Sequence, residues 1–301
     1  MADVLESPVL VYDVGGSHVS AAVCLGHDLR LGPVVRACYP VEQSVSAFID
    51  FLHTLGVEAA NGFDPVMGVA LAIPSPFDFE AGISLMRHKL PYLYGVNLRQ
   101  ALAEVFGWQP CQVSFLNDAD AYLLGEIGAG AARGFARVIG ITLGTGAGSA
   151  FAVDGQLVTD GLGVPHGGEV WNLPYEGGIV EDFLSSRAIV SDYKRRTGII
   201  CDVKAIAADS QHDPAAVETF NEFGRHLGQV IGTMLAGFAP DVVVLGGGIS
   251  RAAQLFLPVA QSQLENSGLH LRVSELQDRA PLVGCAVARF NGRTSIRENR
   301  A

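Results

Sequence analysis

None of the five cysteines, Cys24, Cys38, Cys111, Cys201 and Cys285, forms a Cys-x-x-Cys pair with another. Their scatter offers neither a zinc knuckle nor a disulfide framework, so the thiols are expected to be reduced and mostly buried. Positive charge is also scarce. Against 31 Asp and Glu there are 20 Lys and Arg, a formal net charge of −11 with no dense basic run. That balance excludes electrostatic attraction to nucleic acid or to anionic lipid. Apolar residues make up 49% of the chain, yet Gly, Asp, Arg or His breaks every apolar run before the roughly 18 residues a membrane span needs. The N-terminus, with Asp3 and Glu6, lacks the basic flank of a signal peptide. A cytoplasmic protein with no nucleic-acid and no membrane partner is expected. No Lys-Ser/Thr follows any glycine cluster, which excludes the P-loop.

What the sequence does have is length, apolar content and glycine. With 301 residues and only 17% charged residues, two ordinary lobes can each bury a core. Val9 to Leu25 reads as strand, glycine turn, strand, and the design returns at Val138 to Val153, where Asp154-Gly155 then marks a hairpin. This repetition suggests an internal duplication. Between the copies, a helix from about Ser44 to Ala59, a strand Val66 to Ile73, a helix Leu98 to Phe106 and a strand Gln112 to Leu116 alternate, the mark of an α/β protein. A helix starting at Asp213 and Pro214 carries apolar residues at helical spacing as far as Phe238. Its Gly224, Gly228 and Gly232 imply that another backbone packs close.

Three glycine corners carry candidate chemistry. Asp13-Val14-Gly15-Gly16-Ser17 sets a carboxylate at a strand end ahead of two residues without Cβ and a hydroxyl. Backbone N–H groups there can converge on an anion, and Asp13 can hold Mg²⁺ through water. Gly144-Thr145-Gly146 has the same character. Gly246-Gly247-Gly248 follows a buried strand and precedes a helix near Ser250, where backbone can approach a nucleotide. Each corner read alone is equally a tight turn.

Asn117-Asp118 ends a strand and opens a helix running from Ala119 to Gly128. The carboxylate can take a proton from an attacking hydroxyl while the amide fixes a neighbouring one; helix capping is the alternative. The loop Gly161 to Glu169 ends in an acid that can grip two sugar hydroxyls or simply face solvent.

Taken together these residues resemble the ROK family, named for repressors, open reading frames and kinases, which includes bacterial glucokinases and N-acetylmannosamine kinases. Asp13 to Ser17 is similar to its Asp-x-Gly-Gly-Thr opening, and Gly68 to Phe77 to its Gly-x-x-x-Pro-Gly-Pro segment with Ser75 in place of Gly. Leu116 to Ala121 resembles Glu-Asn-Asp-Ala-Asn-Ala, and Leu143 to Gly146 and Val244 to Gly248 resemble its second phosphate and adenosine elements. The resemblance implies a duplicated actin-like, sugar-kinase (RNase H-like) two-lobe ATPase fold whose nucleotide lies in the cleft between lobes. It implies a small lobe of residues 1–116, joined by 287–301, and a large lobe of 117–286. It also implies ATP and Mg²⁺ as cofactors, Asp118 as catalytic base, and a homodimer or larger assembly. Gly15, Gly16, Ser17, Gly144, Thr145, Gly146, Gly246, Gly247 and Gly248 would hold the nucleotide.

The departures are as informative. The family continues Gly-Glu-x-Gly-His, and that His shares a structural zinc with three downstream cysteines. Here Glu169-Val170-Trp171 leads to Asn172, with no cysteine between Cys111 and Cys201, so no zinc is expected. Asn172 can replace part of the lost imidazole and Glu181 keeps the family's later Glu; Trp171 is expected to fill the core, with stacking on a sugar face as the alternative, and His166 to be a loop residue, with a substitute ligand as the alternative. Regulators of the family carry a helix-turn-helix before the first strand, and a first strand beginning by Val9 leaves no room for one. The expectation is therefore a kinase that phosphorylates a hexose hydroxyl at C6, with polyphosphate as donor, another monosaccharide or N-acylhexosamine as acceptor, or a non-catalytic sugar sensor as the alternatives.

Overall fold

A computed structural model describes residues 8–26, 28–265 and 268–292. The expectations placed on Asp3, Glu6 and residues 293–301 lie outside the described residues.

The first unit opens with β1 (Val9–Val14) and β2 (His18–Leu25), paired antiparallel, and two short strands, β3 (Arg30–Leu31) and β4 (Val35–Cys38), that both pair with β2. Helix α1 (Val45–Ala59) starts where the Ser44 hydroxyl accepts the Ala47 N–H at 3.2 Å, the N-cap that Ser supplies best. Then come β5 (Val69–Ile73), the small hairpin of β6 (Phe77–Asp78) and β7 (Ile83–Ser84), α2 (Leu98–Phe106) and β8 (Val113–Asn117). Helix α2 is capped by Asn97 at one end and by left-handed Gly107 at the other. The sheet runs β3-β2-β1-β5-β8, with β1, β5 and β8 parallel. β5 and β8 are buried throughout, as parallel strands covered on both faces must be. α3 (Asp118–Ala129) follows at once.

The second unit repeats this plan. β9 (Arg137–Leu143) and β10 (Ala147–Val153) form the hairpin, and β11 (Gln156–Val158) follows the Asp154-Gly155 turn, whose two residues both take positive φ. A hairpin of β12 (Pro174–Tyr175) and β13 (Gly178–Ile179) leads to helices α4 (Ser186–Thr197), α5 (Val203–Asp209) and α6 (Pro214–Gln229). β14 (Val242–Gly246), α7 (Ala253–Ser262) and β15 (His270–Val273) complete it. The sheet order β11-β10-β9-β14-β15, with β9, β14 and β15 parallel, matches the β3-β2-β1-β5-β8 path of the first sheet, which carries β4 as an extra strand on β2. The duplication suggested by two glycine hairpins is thus carried through each sheet.

Helix α8 (Ala280–Phe290) returns to the first unit, where it packs on α3 and on β1, β2 and β5. A Cβ on Gly125 would overlap the carbonyl of Ala280, and one on Gly284 the carbonyl of Ala121. The two helices therefore touch backbone to backbone. The chain divides accordingly into Met1–Ala129 with Arg279–Ala301, and Gly130–Asp278. This division departs from the expected 1–116 and 117–286 because α3 and α8 belong together in the first unit.

Three local expectations are corrected. The helix expected to reach Phe238 ends in regular α form at Gln229 and continues as a π-turn, Val230–Met234, and a 3₁₀ turn, Ala236–Phe238. Its glycine stripe does meet another backbone: a Cβ on Gly224 would stand 2.5 Å from the Phe256 carbonyl oxygen and one on Gly228 2.6 Å from that of Ala260, both on α7. The cysteines are not mostly buried. Cys24 and Cys285 are, Cys201 is half-buried, and Cys38 and Cys111 are exposed, since the latter two lie on the outer strand β4 and in a 3₁₀ turn. Trp171, expected in the core, is 39% exposed, for the space around the β12–β13 hairpin is filled instead by Tyr175, Val180 and Phe183. Among the described residues no helix is long and apolar enough to cross a membrane.

Candidate active site

In the first unit the candidate residues gather at the carboxyl ends of parallel strands, the edge where open α/β sheets bind ligands. Asp13 pairs in register with Ala72 of β5, and Ala72 with Leu116 of β8, so Asp13 and Asn117 flank the end of β5. Two strand spacings separate them, roughly 10 Å. The turn between β1 and β2 is closed by the Gly15 N–H donating to the His18 carbonyl at 3.0 Å and by the Tyr39 hydroxyl donating to the Gly15 carbonyl at 2.6 Å. Burial, with the charges of Tyr92 and Asp13 adding to it, pushes the Tyr39 hydroxyl far above its ordinary value, so it stays a donor. Ser17 Oγ lies 3.0 Å from Nδ1 of His18, whose Nε2 is 2.5 Å from the Arg36 guanidinium. A cation from β4 therefore stands at this corner, which nothing in the sequence signalled.

Asn117 is 4% exposed. Its Oδ1 accepts the N–H groups of Ala119 at 3.0 Å and Asp120 at 3.4 Å, while its Nδ2 donates to Ser75 Oγ at 3.0 Å. Capping and amide orientation are thus one arrangement, and one further N–H is left for a ligand. The half-buried Asp118 holds the Ala119 N–H through Oδ1 at 2.9 Å, in the first turn of α3, a favourable place for a carboxylate.

In the second unit the carboxyl ends of neighbouring parallel strands β9 and β14 bring Gly144-Thr145-Gly146 beside Gly246-Gly247-Gly248. Gly247, at φ +80°, leaves no room for a Cβ against the Leu143 backbone. Ser186, unremarkable in the sequence, holds the Gly144 carbonyl with both its N–H at 2.7 Å and its hydroxyl at 2.8 Å. Glu181 joins this corner: its Oε2 accepts the Ala147 N–H at 3.2 Å. Glu169, half-buried, is fixed by buried Ser149, whose hydroxyl donates to the Gly168 carbonyl at 2.7 Å and accepts the Val170 N–H at 2.9 Å. Asn172 and His166 are exposed on the same segment. A depression of about 290 Å³ near Phe183 is lined by Asp182, Asp192 and Glu222, each already paired with an arginine.

Gly16, Gly144 and Gly248 share one property. None has a positive φ, and a Cβ on any of them would meet nothing within 4 Å. The fold does not require glycine at these three positions.

The profile of the ROK family matches residues 9–289. The chain belongs to the ROK family. It is 26% identical over 270 residues to the N-acetylgalactosamine kinase of Shewanella sp. strain ANA-3, covering 83% of this chain and 84% of that one. It is 29% identical over 279 residues to the glucokinase of Thermotoga maritima, covering 84% and 86%. The ROK glucokinase of Streptomyces griseus, solved with glucose and AMPPNP, superposes with a TM-score of 0.77 at 23% identity over 93% of this chain and 98% of that one. This ROK protein therefore has the duplicated actin-like, sugar-kinase fold, in a family whose members include sugar kinases and transcriptional regulators. Where other members are expected to bind zinc, residues 172–181 supply tyrosine, glutamate and apolar side chains, and among the described residues no three His, Cys, Asp or Glu gather to hold a metal. Mg²⁺ makes a different demand. It needs few protein ligands and keeps water and phosphate oxygens, and Asp13 beside the open backbone at Gly16 fits that chemistry.

Proposed function

We propose that this protein is an ATP-dependent kinase of a hexose hydroxyl, at C6, and that Asp118 is its catalytic base. The observation that supports this most is the trio Gly16, Gly144 and Gly248, glycines at strand ends with space left open where no protein atom needs it. Backbone N–H groups at such corners suit phosphate oxygens. In the reaction Asp118 takes the proton of the acceptor hydroxyl as that oxygen bonds to γ-phosphorus. The bond from γ-phosphorus to the β,γ-bridging oxygen breaks, and ADP leaves. Asn117 offers its remaining N–H to a sugar hydroxyl, and Glu169, Glu181 and Asn172 accept or donate to others. Asp13 would hold Mg²⁺ through water, and the ion would neutralise charge on the phosphates. Gly15, Ser17, Thr145, Gly146, Gly246 and Gly247 complete the nucleotide contacts.

The family's acceptors include both N-acetylgalactosamine and glucose, so a coupled assay across hexoses and N-acylhexosamines, with ATP and with polyphosphate, names the substrate pair. In that assay Asp118→Asn is expected to lower turnover by about 10²–10⁴-fold and to leave sugar affinity by calorimetry within a few-fold. Near-normal turnover in the variant removes Asp118 from the role. Sugar binding by the wild type without phosphoryl transfer from either donor would make the protein a sensor. A cytoplasmic homodimer is the setting we propose.

A further inference from the structure

The β12–β13 hairpin occupies the stretch in which the resemblance leads one to look for thiolates, and it is anchored by aromatic rings. Tyr175, 7% exposed, brings its hydroxyl to 2.8 Å from Nδ1 of His226 and 3.0 Å from Oε1 of Gln229, both on α6. The one hydroxyl proton serves one of these contacts and an oxygen lone pair the other. The Tyr175 ring meets Phe183 edge-on at 5.0 Å and His226 edge-on at 5.6 Å, and Phe183 meets His226 at 4.8 Å.

Glu181 lies between these two anchors. Tyr175 stands before it and Phe183 after it, and both rest on the same imidazole. The turn that joins the strands, Glu176-Gly177, has positive φ at both residues, the two-residue form that matches strand twist. Between the anchors the Val180 N–H donates to the Leu173 carbonyl at 3.0 Å and the Glu181 N–H to the Trp171 carbonyl at 3.0 Å. Val180 itself is fully buried. The backbone of Glu181 therefore has little freedom once Tyr175 is seated, and its carboxylate is delivered to the Ala147 N–H. If the hairpin lifts, that carboxylate moves with it.

We propose that Tyr175, through His226 and Gln229, is a positioning residue for Glu181, so that this polar and aromatic node sets the sugar-binding carboxylate without a metal. The proposal rests on the reading of Glu181 as a sugar ligand. Tyr175 does not touch substrate; it acts through the hairpin.

Tyr175→Phe removes the hydroxyl and keeps the ring. Steady-state kinetics is expected to show the sugar KM rising about 5–10-fold, the loss of roughly one hydrogen bond, with the KM for ATP within twofold. Added to Glu181→Gln, the same substitution should raise the sugar KM no further, because its effect passes through that carboxylate. An unchanged sugar KM, or an effect that adds fully to that of Glu181→Gln, overturns the proposal. Should Tyr175→Phe fail to fold, Gln229→Leu removes a partner of the hydroxyl from the α6 side, and the same pattern is required of it. A wild type without sugar-dependent ATP turnover defeats the kinase reading and not the node. Calorimetric sugar affinity of wild type and variant then decides the node, and absence of any sugar binding defeats both.

Discussion

The carboxylate of Glu181 fills the space that a side chain at Gly146 would need: a Cβ on Gly146 would overlap Oε2 of Glu181. A residue assigned to the sugar and a residue assigned to the phosphates thus share one volume. Gly146→Ala must push the Glu181 carboxylate and the Gly146 backbone apart, which disturbs both. We expect the KM values for sugar and for ATP to rise together, each by about tenfold, as losing a charge-assisted hydrogen bond implies. A rise in one alone would show that the two contacts are independent.

Gly16→Ala, Gly144→Ala and Gly248→Ala should leave the fold intact, because none of the three has a positive φ and a Cβ on each meets open space. If these corners hold the nucleotide as proposed, each should still raise the KM for ATP by roughly tenfold, since the added methyl would stand in its path. Gly247→Ala and Gly284→Ala are the contrast: the first combines φ +80° with a backbone overlap and the second drives a methyl into the Ala121 carbonyl. Overpacking costs about 1–3 kcal/mol or more, so both should lower Tm. Circular dichroism melts beside kinetics separate the two groups, and a destabilised Gly16→Ala would contradict the assignment.

Burial pushes the His226 imidazole below its ordinary value. Glu222, Glu176 and Asp192 oppose that shift and Arg225 adds to it. The folded protein therefore favours the neutral ring, while the unfolded chain takes up a proton near pH 6.5. The preference costs nothing above that pH, and stability is lost as pH falls through it. Tm should drop between pH 7.5 and 5.5, and His226→Gln should drop less over the same range.

Among the thiols, burial pushes Cys24 up to about 12, against a small opposing effect from the Leu25 backbone. Cys285 is raised well above its ordinary value by burial and by Asp13, with the Ala72 backbone opposing. A thiol reagent at pH 8 should modify exposed Cys38 and Cys111 quickly, half-buried Cys201 more slowly, and Cys24 and Cys285 only on unfolding. Fast reaction of Cys285 in the native protein would contradict the packing of α8.

Much of this architecture could be read in advance because local chemistry dictates it. Asp213 and Pro214 start α6, since a capping carboxylate and a fixed φ suit a first turn. The glycine stripe of α6 announces α7 because only close backbones need it. Other features depend on distant partners. Nothing in Ser186 or Ser149 tells that one holds the Gly144 carbonyl and the other the backbone of Gly168 and Val170 on either side of Glu169, since their partners lie 42, 19 and 21 positions away. Trp171 lost its expected place to Tyr175, whose partners His226 and Gln229 lie 51 and 54 positions on. The end of α6 at Gln229 was hidden as well, because the apolar spacing continues through the π-turn.

Helix α8 covers the very strands with which the first unit begins. On a ribosome those strands emerge early, and their cover is not synthesised until about residue 280 has been passed. The first sheet must therefore wait, partly naked, while all of the second unit is made, so the amino-terminal unit should be the later of the two to mature and the one most in need of a chaperone during translation.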